Sequence, residues 1–396
     1  MGMRKGRRAT GAFFGLLGVA ISTWAALVPF AKAQLGLDEA TLGSILLAFG
    51  GGTIVATMAA APLARRYSSR TPLVVAASAL CFTLPFLAHA PSAATLAVLL
   101  FSFGACVGVI GVAANAQAIA VQAAMGRPVM SSFHAMFSLG GLAGAAANSL
   151  LLGLGVSPLV CAIDVSAVLI LVIATQAESL NPDLAPETNR TSHVRRGLAP
   201  LPVLFVGLMT LALYLSEGSI VDWGAVFFRE VRGYSVSTAA LGYAAFSITM
   251  AAGRLAGDRI VERVGPVSVV RYGAILAATG FFVMVFAPGP WLGLAGCALI
   301  GLGASNVVPT LISASARVSD YPTAAAVSTT VAMGTTGLIA GPALIGFVAQ
   351  STGLGIALAG LAVLLLVVGA AADIVGASPA RRRAPAHATA DLRPSR

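Results

Sequence analysis

Gly253–Gly265 reads GRLAGDRIVERVG, and five of its 13 residues are charged. Long apolar runs flank it on both sides. A soluble core does not bracket a charged turn with two segments long enough to cross a bilayer. The stretch is therefore expected to be a short loop between spanning helices. Gly253 and Gly257 permit close backbone approach, and Asp258 is suited to sit near a helix end or to pair with Arg259 or Arg263.

The composition points the same way. The 396 residues are 58% hydrophobic and only 10% charged, against about a quarter charged in ordinary soluble proteins. A large soluble core explains apolar content but not scarcity of charge, so the chain reads as an all-α polytopic membrane protein. A net charge of +10 raises the question of nucleic acid. Few aromatic residues lie near the basic ones and no helix face is basic, so that partner is excluded. Cys81, Cys106, Cys161 and Cys297 all lie inside apolar segments without paired spacing, and read as small packing residues, not disulfides or metal ligands.

Twelve apolar stretches follow one another, each long enough to span a hydrocarbon core of about 30 Å. They are 10–31, 41–63, 72–90, 93–124, 129–153 and 157–176, then 201–228, 237–256, 267–287, 291–315, 324–349 and 353–376. Arg4–Arg8 before the first run, and Ala31-Lys32-Ala33 after it, resemble a secretory signal. The run is longer than a signal core, and the internal repeat needs it as a helix. With both termini cytoplasmic, 21 of the 24 Lys and Arg fall on the inner side, leaving Lys32, Arg229 and Arg232 outside. That asymmetry is what the positive-inside rule expects of an even helix count.

The predicted organisation is a six-helix bundle over 1–176, a polar cytoplasmic linker over 177–200, a second six-helix bundle over 201–377 and a basic tail over 378–396. The tail is expected to be disordered and to lie against anionic headgroups. Asn189-Arg190-Thr191 matches a glycosylation sequon that a cytoplasmic linker would never use. The halves also repeat. A shift of about 193 residues lays Arg66 and Arg70 on Arg259 and Arg263, and brings Asn115 within two positions of Asn306.

The pattern G-R-L-x-G-D-R-x-x-x-R-x-G, the helix count, the linker and the parallel repeat together resemble the major facilitator superfamily of transporters. Asn115–Ala145 and Glu217–Glu230 resemble, within it, a sugar-permease-like, fucose-permease-related bacterial branch. The resemblance implies two pseudo-symmetric bundles, with helices 1, 4, 7 and 10 lining a central cavity. It also implies that the charged loop latches the cytoplasmic side shut, which makes Arg254, Asp258, Arg259 and Arg263 gating candidates. The first-half copy, 62–67, has Arg65 where the repeat places the acid, so the gating is expected to be asymmetric. The fucose-type permeases, by resemblance, carry acids on helices 1 and 4. This chain has none there.

No phosphate loop, nucleophile elbow or metal-ligand spacing is present, so neither an enzyme nor a cofactor is expected. Polar groups at membrane depth are the functional candidates, because they are expensive there. Glu217 lies 16 residues into the seventh span, about 24 Å along a helix. It is the first candidate for proton coupling, with Asp222 nearer the interface as the second. Asn115, Gln117 and Asn306 offer amide donors and acceptors to a hydroxylated solute, although the same groups also glue helices together. Trp24 falls opposite Glu217 under the repeat shift and suits a sugar face. His134, inside the fifth span, either binds substrate or is a satisfied structural histidine. Asp164 is expected to be structural. Gly341-Pro342 marks a bending point in the eleventh span.

These readings combine into a monomeric secondary transporter of a bacterial inner membrane, moving a small sugar-like solute with protons by alternating access. The alternatives are an efflux antiporter for amphipathic compounds and a non-transporting membrane sensor.

Overall fold

In a bilayer every backbone N–H and C=O must be satisfied within the protein, and a chain this apolar achieves that locally by forming helices. The computed structural model describes residues 3–37, 39–66, 68–181, 199–234 and 236–376, and no strand occurs among them. The first six helices are α1 (Met3–Leu35), α2 (Glu39–Arg66), α3 (Arg70–Ala88), α4 (Ala93–Met125), α5 (Met130–Gly153) and α6 (Pro158–Gln176). The remainder are α7 (Leu201–Val226), α8 (Val236–Val264), α9 (Pro266–Phe286), α10 (Pro290–Ala304), α11 (Val307–Ser315), α12 (Thr323–Thr352) and α13 (Leu354–Ala370). Together, α10 and α11 form one broken rod, so the twelve predicted spans correspond to twelve rods. Ten of these rods are long and apolar enough to cross a membrane, and α2 adds the apolar stretch Ser44–Ala59.

The helices are apolar on their outer faces as well as their inner ones. Leu73, Leu80 and Leu84 of α3 are fully buried, while Val75, Phe82 and Phe86 of the same helix are more than 60% exposed. Such an outer face has lipid as its natural solvent. Inside, α1 is part of the core, with Phe13, Phe14, Leu16 and Leu27 all buried. The four cysteines are free thiols within helices.

The packing repeats with the sequence. Among the first six helices α1 lies along α5, α2 along α4 and α3 against α6. Among the rest α7 lies along α12, α8 along α10 and α9 against α13. Two seams join the sets, α5 against α8 and α2 against α12, and each is the counterpart of the other.

Two expectations need correction. Gly253–Gly265 is not a loop. The α8 helix runs to Val264, and the chain turns only at Gly265, where φ is +81°, a conformation that favours glycine. Its Arg, Leu, Ala and Glu residues are good helix formers, and no proline interrupts them. The tenth span, expected to be continuous, breaks at Ser305–Asn306. The cause is Pro309: it has no N–H to bond the Ser305 carbonyl one turn back, and Arg254 Nε donates to that carbonyl instead at 3.4 Å. By contrast, α12 continues without interruption through Pro342. Residues 182–198, containing the Asn189 sequon and most of the linker, and the tail from 377 lie outside the described residues.

Candidate functional site

Arg254 is the centre of the arrangement. It is 8% exposed, and its guanidinium faces three elements at once. One edge of the guanidinium lies 3.8 Å from Glu217 Oε2 on α7. Nη1 donates to Ser138 Oγ of α5 at 2.8 Å, and Nε donates to the Ser305 carbonyl at the break. Arg254 therefore sits deep in the protein, not on a loop, and it crosses from α8 to α5. A guanidinium suits this task because it presents donors in several directions from a rigid plane.

Glu217 lies beside it, mostly but not fully buried, with its side chain 14% exposed. Only Oε2 meets Arg254, and Oε1 has no hydrogen-bond partner among the described residues. A buried ion pair is stable when its spare valences are satisfied, and removing either partner leaves an uncompensated charge. Tyr214, one turn back on α7, lies within electrostatic reach of both members.

His134 joins the group indirectly. Ser138, which accepts from Arg254, donates to the His134 carbonyl at 3.3 Å. The His134 ring lies 5.4 Å from Phe14 of α1, and the charge on Arg254 reaches it. His134 is thus buried, and its Nε2 has no hydrogen-bond partner among the described residues.

Asn306 stands at the break. Its Nδ2 donates to the Gly253 carbonyl at 2.9 Å and to Ser305 Oγ at 3.0 Å, while Oδ1 lacks a partner. Gly257 lies so close to that oxygen that any Cβ there would overlap it. The two glycines of the opening stretch thus admit the α10–α11 break against α8. Asn115 donates to its own helix at Gly111 O, 2.7 Å away, and keeps Oδ1 free. Trp24 is buried in α1.

The remaining candidates lie elsewhere. Gln117 is a correction: its amide donates to Ser69 Oγ and the Asn181 carbonyl and accepts from the Asn181 N–H. Those bonds leave its nitrogen fully used, so it ties the start of the linker to the bundle rather than binding solute. Asp222 is exposed and separate from the buried pair, and Asp164 is exposed on α6.

The gating candidates divide. Asp258 neither pairs with Arg259 nor with Arg263, both of which are exposed. Instead both its oxygens accept from the Ser132 N–H at 3.2 Å, and Ser132 Oγ also donates to it. It thus caps the N-terminus of α5, where an anion is favoured. Burial pushes its carboxyl above the usual range, opposed by the Ser132 and Ser131 bonds and by Arg7. Arg7 Nη2 itself donates to Ser132 Oγ at 3.4 Å. Side chains of the first-half copy, 62–67, lie outside the described residues.

Tyr214, Ser132, Ser138 and Ser305 were not legible as site residues, since nothing distinguishes these serines from the many others. Pro309 was a readable signal for the break. The Major Facilitator Superfamily model matches residues 9–336. The chain belongs to that superfamily. It is 40% identical over 365 residues to an uncharacterised MFS-type transporter of Yersinia pestis, covering 92% of this chain and 94% of that one. The fold is shared with the fucose:proton symporter FucP of E. coli at a TM-score of 0.77 and 18% identity, covering 93% and 98% of the two chains. The proton:xylose symporter XylE gives a TM-score of 0.72 at 14% identity, covering 93% and 94%. A multi-pass membrane transporter acting on small molecules, with bacterial relatives, follows from the family.

Proposed function

We propose that this protein is a proton-coupled secondary transporter for a small, polar, sugar-like solute, working by alternating access in a bacterial inner membrane. Two six-helix bundles, α1–α6 and α7–α13, rock about a central site, with both termini cytoplasmic and the chain monomeric. The observation that carries this reading is the Glu217–Arg254 pair. It lies where α5, α7, α8 and the α10–α11 break converge, so it touches both bundles. Protonation of Glu217 at the spare Oε1 would cancel its hold on Arg254. Arg254 also bridges to Ser138 across the seam, so the proton would loosen one bundle from the other. The free acceptors of Asn115 and Asn306 and the free ring nitrogen of His134 supply polar contacts for hydroxyl groups. The substrate class is supported by the shared fold with two sugar symporters.

Hydrogen bonds between the bundles gather toward the face carrying the start of α5. Besides Arg254 to Ser138, they include Gln122 to Ser313, Ser132 to Asp258 and Ser328 Oγ to the Thr57 carbonyl. This is the face we assign as cytoplasmic, and bonds gathered there fit a transporter closed on its inner side.

The test is solute-driven proton movement in proteoliposomes, with a panel of sugars and small metabolites offered to the parent and to Glu217→Gln. External alkalinisation with one solute, lost in the variant, is the expected result. Labelled uptake without any pH change would remove the coupling and leave a uniporter. Bound ligand without flux would remove transport.

A further inference from the structure

A cavity of about 340 Å³ opens beside the latch, at the face where α4, α8 and α11 end. That volume lies within the roughly 300–1,000 Å³ of small-molecule sites. Its walls come from both bundles: Gln122, Arg127 and Ser131 from one, and Glu262, Ser313 and Arg317 from the other. Asp258 also borders it.

The charges in this cavity are unevenly committed. Asp258 is held by the N-terminus of α5 through Ser132. The guanidinium groups of Arg127 and Arg317, by contrast, make no hydrogen bond or ion pair with any described residue. Neither does the carboxylate of Glu262, which is exposed. Counting Asp258, the lining is formally neutral, but the two guanidinium groups are its uncommitted charged donors. The hydroxyls add donors. Ser313 Oγ accepts from Gln122 Nε2 at 2.5 Å, which leaves its own proton to give, and Ser131 is a buried residue whose hydroxyl makes no bond to a described residue.

We propose that this cavity is a binding site for a small anion bearing a carboxylate or phosphate, gripped by Arg127 and Arg317 with Ser131 and Ser313, distinct from the Glu217–Arg254 centre. Guanidinium forks paired with hydroxyl donors are the ordinary means of holding such groups. Because its two walls belong to different bundles, the site exists only while this face is closed. A ligand bound to one of two states shifts the population toward that state, so occupancy holds the transporter shut on this side. The cytosolic anion acts as a brake, separate from the solute carried.

The test uses the full chain, purified in detergent, titrated with inorganic phosphate and with succinate by calorimetry at low ionic strength. In parallel the protein is placed in nanodiscs of zwitterionic lipid with and without added anionic lipid, and its melting temperature is followed. Arg127→Gln, Arg317→Gln and the double variant accompany the parent in each arm. Both arginines lie on exposed connecting segments, and circular dichroism would confirm that the variants fold. Saturable binding of a soluble anion, weakened at least tenfold in the double variant, supports the site with a soluble ligand. Stabilisation by anionic lipid alone, lost in the double variant, supports it with a lipid headgroup as the source. No binding in either arm, or binding equal in parent and double variant, overturns the proposal.

A final arm follows maleimide labelling at Thr57→Cys, a buried seam position. A bound anion should slow labelling severalfold in the parent background only. That arm rests on the rocking reading above. Binding with unchanged labelling would overturn the brake and the rocking reading while leaving the site.

Discussion

The α5–α8 and α2–α12 seams occupy equivalent places in the repeat, yet they are built from different chemistry. Across α5–α8 run an arginine bonded to Ser138, an aspartate capping a helix and a glycine pressed against Ser131. Across α2–α12 the described side chains supply a hydroxyl-to-carbonyl bond, Ser328 to Thr57, and the packing of Gly50 against Ile339. The sequence shift explains why: Ala61 stands where the repeat places Arg254, and Arg65 where it places Asp258. Among the described side chains, one seam is directional and charged, and the other is held by shape and a neutral hydrogen bond. A duplicated fold thus places different chemistry at two equivalent joints, and on the function proposed above the charged one is the switch and the other the bearing.

The comparison breaks most sharply at Arg254. Arg254→Ala leaves Glu217 buried without its partner and strips Ser138 and the Ser305 carbonyl of their donor, which should cost about 3–5 kcal/mol. Chemical denaturation in mild detergent measures it. The double variant with Glu217→Gln should recover part of that loss, and a double no better than the sum of the singles would show that the pair is not coupled. Next comes Gly257→Ala, whose methyl would overlap Asn306 Oδ1 and approach Ser131 Cβ. Overpacking of this kind costs about 1–3 kcal/mol. Gly50→Ala on the other seam meets the mobile end of Ile339 and should melt within a degree or two of the parent. Equal losses at the two glycines would erase the distinction between the seams.

Asp258→Asn keeps a cap but removes its charge, so about 0.5–1 kcal/mol of helix-terminus attraction should disappear. Thiol labelling at Thr57→Cys should then rise as the inner face opens more often. Unchanged labelling would mean that Asp258 is not a latch. The smallest shift in labelling belongs to Ser328→Ala, which loses one neutral hydrogen bond worth about 0.5–1.5 kcal/mol but no charge, and should leave the labelling ratio near that of the parent. A larger shift there than at Asp258 would reverse the assignment of switch and bearing.

Much of this was legible beforehand. Glu217 stood out because a carboxylate in an apolar run has no cheap explanation, and Gly253 and Gly257 because their spacing permits close approach. Arg254 was visible but misplaced, because four charged residues follow it and its neighbours made the whole stretch look like loop. Its depth became clear only when Pro309, on a helix 55 positions away in the chain, was seen to leave a carbonyl without a partner. The serines were invisible, since a hydroxyl acquires meaning only from the group opposite it. Gln117 looked like a ligand for the same reason that Asn306 did, and only its neighbours, Ser69 and Asn181, showed that its bonds were already taken.

By itself the sequence determined the helical architecture, the number of crossings and the repeat, because these follow from hydrophobic length and backbone satisfaction within each segment. Tertiary structure alone decided that Glu217 meets Arg254, that Asp258 caps α5, and that two arginines share a cavity. Those pairings join residues 37, 126 and 190 positions apart. A period or a span records what a segment buries, but not which distant segment it is buried against.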